Sequence, residues 1–300
     1  MPGRGVVGVI GLGIMGSAMA ANLMAAGYEV VGYDVAAGRR RLHARRGGRV
    51  AASASGVAES APVVLSALPS VEALDLTAGS LAAARARGRI VVETSTLPIA
   101  AKARARRRLA AAGIVLLDCP VSGTGVQART RGLVVYASGE RGAYRRIRPV
   151  LDAIARSHRL VGPFGDGSRM KLVANLLVAV HNVAAAEALV LAERAGLDGR
   201  LVVDAIGDGA ASSRMFEVRA PLMIRRRFSP PAMKLQVWEK DMAIIAEFAR
   251  RAGAPTPLFS ATAPLYAAAA RAWPTCDTAA VYDVLRRMRP PQGRRAASAT

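Results

Sequence analysis

A doubly wound α/β sheet followed by an all-α half is the fold class the sequence predicts, and three observations predict it. Short β-branched apolar runs alternate with Ala- and Leu-rich stretches in the first half. A G-x-G-x-x-G turn joins the first such run to the first helical stretch. After Gly162-Pro163-Phe164-Gly165 the strand runs stop, and apolar positions recur at helical spacing. The 300 residues suggest about two domains. We draw them at 1–164 and 165–290, with a small, basic, frayed tail at 291–300.

Val6–Ile10 is a run typical of a strand buried on both faces of a parallel sheet. Gly11-Leu12-Gly13-Ile14-Met15-Gly16 follows at once. Ser17–Ala26 then carries good helix formers, and Gly27 stops it. Glu29–Tyr33 is the next strand, ended by Asp34. The alternation continues with strands at Pro62–Leu68 and Ile90–Thr94, an Arg-rich helix at Ile99–Ala112 and a strand at Ile114–Asp118. A strand at Leu133–Ser138 and a helix at Ala143–Ala155 complete the half. Beyond the boundary a long helix is expected over Ser168–Arg194, then helical segments at Gly199–Ile206, Pro231–Ala252 and Ala261–Ala272.

Composition narrows the function. A 52% hydrophobic fraction excludes a largely disordered chain. Cys119 and Cys276 are too few and too far apart for a disulfide framework and read as free thiols in a reducing cytoplasm. His43, His158 and His181 stand at no metal-ligand spacing, so no metal is expected. Net charge is +21, carried by arginines in short scattered runs. With only 4% aromatic residues there are few stacking platforms, so the charge reads as solvated surface and counts against a nucleic-acid partner. Gly5–Tyr28 is uncharged and long enough to span a bilayer, but its six glycines and change of period make it a strand and a helix. Leu172–Leu191 is interrupted by Asn175, His181, Asn182 and Glu187, so no membrane span is expected.

The glycine turn has the strand–turn–helix context of a dinucleotide site. Gly11 permits the tight turn, Gly13 lets the backbone approach a pyrophosphate, and Gly16 lets helix and strand pack closely. The helix N-terminus offers N–H groups to the phosphates. Asp34, after the second strand, stands where a carboxylate accepts from both ribose hydroxyls, which favours NAD over NADP. Arg39 and Arg40 lie close enough in sequence to serve a 2′-phosphate instead. The first half thus reads as an NAD-binding Rossmann domain.

Three further segments carry chemistry. Ser122 and the Gly123 N–H, in Asp118-Cys119-Pro120-Val121-Ser122-Gly123-Thr124-Gly125, can form a small anion-binding concavity, although Ser122 also reads as a turn cap. Lys171 and Asn175 are four residues apart on the long helix and so share a face. Lys240-Asp241 lies on a later helix and reads either as a site pair or as an exposed ion pair.

In these segments the chain resembles the β-hydroxyacid dehydrogenase family, which includes 3-hydroxyisobutyrate dehydrogenase, tartronate semialdehyde reductase and threonate dehydrogenase and is related to 6-phosphogluconate dehydrogenase. The resemblance covers roughly residues 5–288. It implies cofactor contacts at Gly11, Leu12, Gly13, Ile14, Met15, Gly16, Asp34, Leu68, Pro69, Thr96 and Lys240, with Ser95-Thr96 as a strand-end turn. It implies substrate-carboxylate contacts at Ser122, Gly123 and Thr124, where Thr124 replaces a glycine and narrows the pocket. Lys171 stands at the catalytic lysine, as general acid and base, with Asn175 fixing its amine; Ala174 replaces the first asparagine of the usual pair. Trp273–Asp277 stands where the family often has a Gly-Tyr-Gly-Asp turn. Ala137-Ser138-Gly139-Glu140 and Ser212–Glu217 look more like the branch that oxidises four-carbon sugar acids.

The resemblance implies hydride transfer between NAD(P) and a small 2- or 3-hydroxy acid or its semialdehyde, with a helical domain that pairs subunits into a homodimer or homotetramer. An imine reductase shares the architecture, but Lys171 argues against it. A non-enzymatic nucleotide-sensing or nucleic-acid-binding relative would lose the lysine and carry an added domain, and neither is seen. A neutral amine accepting a proton near neutrality must also be held below the free lysine value of roughly 10.4.

Overall fold

The computed structural model describes residues 4–288, so the tail expected at 291–300 lies outside the described residues. The first half runs β1 (Val6–Ile10), α1 (Ile14–Ala25), β2 (Glu29–Tyr33), α2 (Ala37–Arg45), β3 (Arg49–Val50), α3 (Ala54–Ser60), β4 (Val63–Ser66) and α4 (Val71–Ala82). It continues with β5 (Ile90–Glu93), α5 (Ile99–Ala111), β6 (Val115–Asp118), β7 (Val121–Ser122), α6 (Gly125–Arg129), β8 (Leu133–Ser138), α7 (Arg141–Ile154) and β9 (Ala155–Gly162). Then come α8 (Asp166–Arg194), α9 (Gly199–Gly207), α10 (Arg214–Ile224), α11 (Leu235–Arg251), α12 (Pro257–Ala272) and α13 (Val281–Arg287).

Strand order is β3-β2-β1-β4-β5-β6-β8-β7, with β9 on β8. The reversal at β1 sets the glycine turn at the carboxyl ends of the strands, where doubly wound sheets bind ligands. Side-chain alternation feeds a core on each face. Val7, Val9, Leu65, Val92 and Leu117 meet Met19, Leu23, Ile147 and Leu151 on one side. Ile10, Val64, Val91 and Leu116 meet Val57, Leu74, Leu81 and Leu109 on the other. Because both faces are covered, the strands are unbroken apolar runs, which is why they are legible.

The sheet departs from expectation at its far side. β6 and β7 pair antiparallel with β8, so it is mixed there. β9 pairs parallel with β8 and was not expected as a strand. Its Arg156, Ser157, His158 and Arg159 belong to an edge strand, which needs apolar residues on neither outer side. The short α2, α3 and α6 also escaped the periodicity reading, each offering too few turns for a pattern to show.

His43 on α2 is buried, and a Cβ on Gly48 would lie 2.1 Å from its Nε2. Burial, aided by the charge of Arg46, pulls its pKa below the ordinary histidine value. The unfolded chain then binds the extra proton first as pH falls, so stability is present above about 6.5 and declines below it. We expect urea midpoints to fall between pH 7.5 and 5.5, by at most about 1.4 kcal/mol per pH unit from this group. His43→Gln should flatten that slope; an unchanged slope in the variant would remove His43 as its source.

Two compact units divide between Val173 and Ala174, inside α8. The reason lies in the first turns of α8. Ser168 bonds to Asp118 at the end of β6, which holds those turns to the sheet.

The second unit is helical, and its only β contact among the described residues is a bridge between Lys234 and Asp277. Tyr266 is its buried centre: it donates to the Ala179 carbonyl at 3.1 Å, accepts from Asn182 at 2.9 Å and meets Trp238 edge-on at 5.9 Å. Burial raises the Tyr266 phenol well above its usual value, so it stays a neutral donor. By length and composition α8 could cross a membrane. Yet Ser168, Lys171, Asn175 and Asn182 are buried on it, and Ser168, Asn175 and Asn182 bond to Asp118, Asp241 and Tyr266. That is the pattern of a core helix.

Candidate active site

Between β1 and α1 the chain turns in a space that admits no side chain. A Cβ on Gly11 (φ +85°) would lie 2.2 Å from the Ala67 carbonyl oxygen, and one on Gly16 would lie 1.7 Å from the Gly11 oxygen. Gly13 differs: the nearest atom to its Cβ position is Arg39 Nη1, at 3.6 Å. The backbone is thus bare where a diphosphate would approach. Gly13 is also the N-cap of α1 and brings no side-chain oxygen, and the first turn holds no acidic residue. The N–H groups of that turn are therefore suited to an anion. These residues fit a dinucleotide.

Asp34 follows β2 with its side chain only 3% exposed. Its Oδ2 accepts from Leu12 N at 2.8 Å and from Arg39 Nη1 at 3.2 Å, and its Oδ1 accepts from Ala36 N at 2.8 Å. A carboxylate has about four lone-pair sites. Taking both ribose hydroxyls, as expected, therefore requires the half-exposed Arg39 to withdraw. Arg40 donates to the Asp34 carbonyl at 2.6 Å, so both arginines line this rim.

At the next strand ends, Leu68 N donates to Ser95 Oγ at 2.7 Å, and Ser95 N donates to Glu93 Oε1 at 2.8 Å. Glu93 is fully buried and also takes the Ser66 hydroxyl. The Leu68-Pro69 and Ser95-Thr96 turns are thus braced by a carboxylate that sequence reasoning missed.

Ser122 lies on β7, paired with Val134. Gly123 has φ +137°, and a Cβ there would lie 2.8 Å from the Leu133 side chain. Thr124 follows and has a structural task of its own. It caps α6: its Oγ1 accepts from Gln127 N at 3.4 Å, and its N–H donates to Gln127 Oε1 at 2.8 Å. The capping box T-x-x-Q was readable and went unread. α6 in turn touches the dinucleotide helix, where Asn22 Nδ2 donates to the Ala128 carbonyl at 2.6 Å. The Ser122–Gly123 loop and the glycine turn are therefore held by neighbouring helices.

Cys119 is buried between these elements. Burial, then the Asp118 charge, drives its thiol far above the ordinary value, so it is no nucleophile.

Lys171 is 8% exposed, and Asn175 follows one turn later on α8, itself 3% exposed. Asn175 Nδ2 donates to Asp241 Oδ2 at 3.3 Å, and Lys240 Nζ lies 3.6 Å from Asp241 Oδ1. Lys240 keeps 38% of its side chain exposed, whereas Asp241 is buried and forms the hub.

The two stretches that resemble the sugar-acid branch are each fixed by local bonds. Ser138 donates to the Asp118 carbonyl at 3.0 Å. Ser213 caps α10 by accepting from Phe216 N at 3.1 Å, and Arg214 pairs with Glu217 at 2.6 Å.

Comparison with known proteins agrees with this geometry. Residues 6–162 match the family described as the NAD binding domain of 6-phosphogluconate dehydrogenase. Residues 165–285 match the one described as NAD-binding of NADP-dependent 3-hydroxyisobutyrate dehydrogenase. An L-threonate dehydrogenase of Cupriavidus necator is 35% identical over 202 residues, 67% of this chain and 68% of that protein. A 2-hydroxy-3-oxopropionate reductase of Escherichia coli K12 is 33% identical over 61% of this chain and 62% of its own length. The structure of Mycobacterium tuberculosis 3-hydroxyisobutyrate dehydrogenase with L-serine superposes with a TM-score of 0.85 at 30% identity, covering 94% of this chain and 99% of that one.

Proposed function

Because the chain belongs to the NAD-binding family of 6-phosphogluconate and 3-hydroxyisobutyrate dehydrogenases, we propose that it oxidises a four-carbon sugar acid of the threonate type. The reaction class is that of an NAD(P)-dependent oxidoreductase acting on the CH–OH group of a hydroxy acid. The observation that carries the mechanism is Lys171, a buried lysine in the second turn of α8 in a chain with only four lysines.

The nicotinamide, when bound, takes or gives the hydride. Gly11 and Gly16 would shape the turn so that the backbone from Gly13 onward could present N–H groups to the diphosphate, and Asp34 would take the ribose. Ser122 and the Gly123 N–H hold the substrate carboxylate, which aims the hydroxyl-bearing carbon. Lys171 Nζ, as a neutral amine, accepts the hydroxyl proton in oxidation; as an ammonium it returns that proton to the carbonyl oxygen in reduction. Asn175, one turn further along the same helix, is the residue this reading assigns to orient that amine. Arginine could not replace Lys171, because its guanidinium does not give up a proton at useful pH.

Threonate ranks first because the relative of that name is similar over two thirds of both chains. A 3-hydroxy acid with a branched C2 is the second reading, favoured by the structural likeness over nearly the whole chain. The test is NAD(P) reduction with threonate, 3-hydroxyisobutyrate, glycerate and 3-hydroxypropionate; no turnover above background with any of them would end the proposal.

NAD is the preferred cofactor in this reading, because a 2′-phosphate would meet the Asp34 carboxylate. Asp34→Asn should raise the kcat/KM ratio of NADP over NAD by roughly tenfold or more, as removal of about 1.4 kcal/mol of repulsion would. An unchanged ratio would strip Asp34 of this role.

The second unit exposes Leu177, Leu191, Leu197, Leu201 and Leu258, apolar area that suits pairing with a second copy. Sedimentation equilibrium should report a dimer or tetramer, and a monomer at micromolar concentration would contradict it. A reducing compartment suits both free thiols, and the cytoplasm is the location this reading assigns.

A further inference from the structure

We infer that Asp118, held by the buried ammonium of Lys102, is the positioning residue that sets Lys171 against the substrate-carboxylate loop; this rests on Lys171 being the proton carrier. Asp118 and Lys102 are both fully buried, with Lys102 Nζ on Asp118 Oδ1 at 2.8 Å. The same carboxylate captures the start of α8: Ser168 N donates to Oδ2 at 2.8 Å and Ser168 Oγ donates to Oδ1 at 2.8 Å. Ser138 Oγ reaches Oδ2 at 3.3 Å. The docking is tight, since a Cβ on Gly167 would lie 2.3 Å from the Tyr136 carbonyl oxygen and 2.7 Å from that of Asp118.

The geometry makes one side chain common to both halves of the chemistry. Asp118 ends β6, four residues before Ser122, and β7 and β6 share the partner strand β8. Ser168 lies three residues before Lys171, so the two are neighbours on the helix surface. Any slip of α8 along its axis moves Nζ relative to the loop that holds the carboxylate, and the Asp118–Ser168 bonds are what oppose that slip.

Stability does not account for the arrangement. A buried ion pair is seldom more stable than apolar residues of similar volume, because desolvation offsets the attraction. Its return is geometric: a charge-assisted acceptor with several fixed donors has one low-energy arrangement. Lys102 supplies the opposite charge beside the Asp118 carboxylate that gathers these donors.

The test uses the full-length enzyme with its best hydroxy acid and saturating cofactor. Ser168→Ala deletes one hydroxyl and leaves the Lys102–Asp118 pair in place. We expect kcat to fall by roughly three- to thirtyfold, in the range a sub-ångström misplacement produces. KM for the hydroxy acid and the dissociation constant of the cofactor should stay within twofold. Ser168→Thr keeps the hydroxyl and should restore kcat. Asp118→Asn should lower kcat further, again without loss of cofactor binding; if that variant does not fold, the Ser168 pair decides. Wild-type kcat in Ser168→Ala would overturn the inference, as would loss of cofactor affinity in step with kcat and no rescue by threonine. Failure is separable from failure of the Lys171 reading: an active Lys171→Ala enzyme sinks the latter, whereas an inactive Lys171→Ala beside a fully active Ser168→Ala sinks only the positioning role.

Discussion

Lys171→Ala is expected to lower kcat by roughly 10²- to 10⁴-fold, the contribution typical of a positioned acid–base group. The substitution removes the only group assigned to carry the hydroxyl proton, while the glycine turn and Asp34 that hold the cofactor remain. Cofactor affinity should therefore stay within a few-fold, and the loss should fall on kcat. The proton is in flight during hydride transfer, so the missing interaction belongs to the transition state. Lys171→Arg should be nearly as inactive although its charge is kept, because guanidinium does not accept a proton at this pH. The pair thus separates charge from proton transfer. Steady-state rates with the best acid, alongside fluorescence titration of the cofactor, make the measurement. Wild-type turnover in either variant would refute the assigned role.

Arg219→Met should cost about 3–5 kcal/mol, the range for breaking one side of a buried ion pair. Arg219 is 4% exposed and its guanidinium lies on the carboxylate of Asp277, itself 1% exposed. Asp277 also accepts from Ala232 N at 2.7 Å, Met233 N at 3.2 Å and Ala279 N at 3.0 Å. Those bonds fasten the approach to α11, the helix of Lys240 and Asp241, against the turn before α13. With the guanidinium gone, a buried carboxylate keeps neutral donors but loses its counter-charge. Melting of the helical unit should fall by on the order of 10 °C or more. Asp277→Ala should be worse, since it also leaves the three backbone donors without their acceptor. A change below about 1 kcal/mol in Arg219→Met would show that water or another group already balances the charge.

The parts of the fold that were legible are those with a local cause. β1 to the end of β2 was readable because the glycine spacing, the apolar run and the helix formers each act within a few residues. The long α8 was readable because 29 residues repeat an apolar period. β9 was not, since an edge strand needs no such pattern, and α6 was missed because five residues cannot display one. Arginine was expected on the surface throughout. Arg219 breaks that expectation for a reason no window of sequence contains: its partner lies 58 positions away.

For the site, residue types and spacing pointed to the glycine turn, to Ser122 and Gly123, and to Lys171 with Asn175. They did not show that the hydroxyl and N–H of Thr124 serve a helix cap. Nor did they show that the first turns of α8 are held to the sheet, because Ser168 looks like any helix-start serine until Asp118 is seen across 50 positions. Glu93 and Lys102 were passed over as ordinary charges on a strand end and an Arg-rich helix.

Taken alone, the sequence determined most of the order of strands and helices and the dinucleotide turn, because these depend on backbone sterics and side-chain chemistry within a few residues. Only the tertiary structure decided which charges are buried and which donors each carboxylate serves. A charge leaves water only where an opposite charge and fixed donors meet it in space. Asp118 and Asp277 each found such partners on segments distant in the chain.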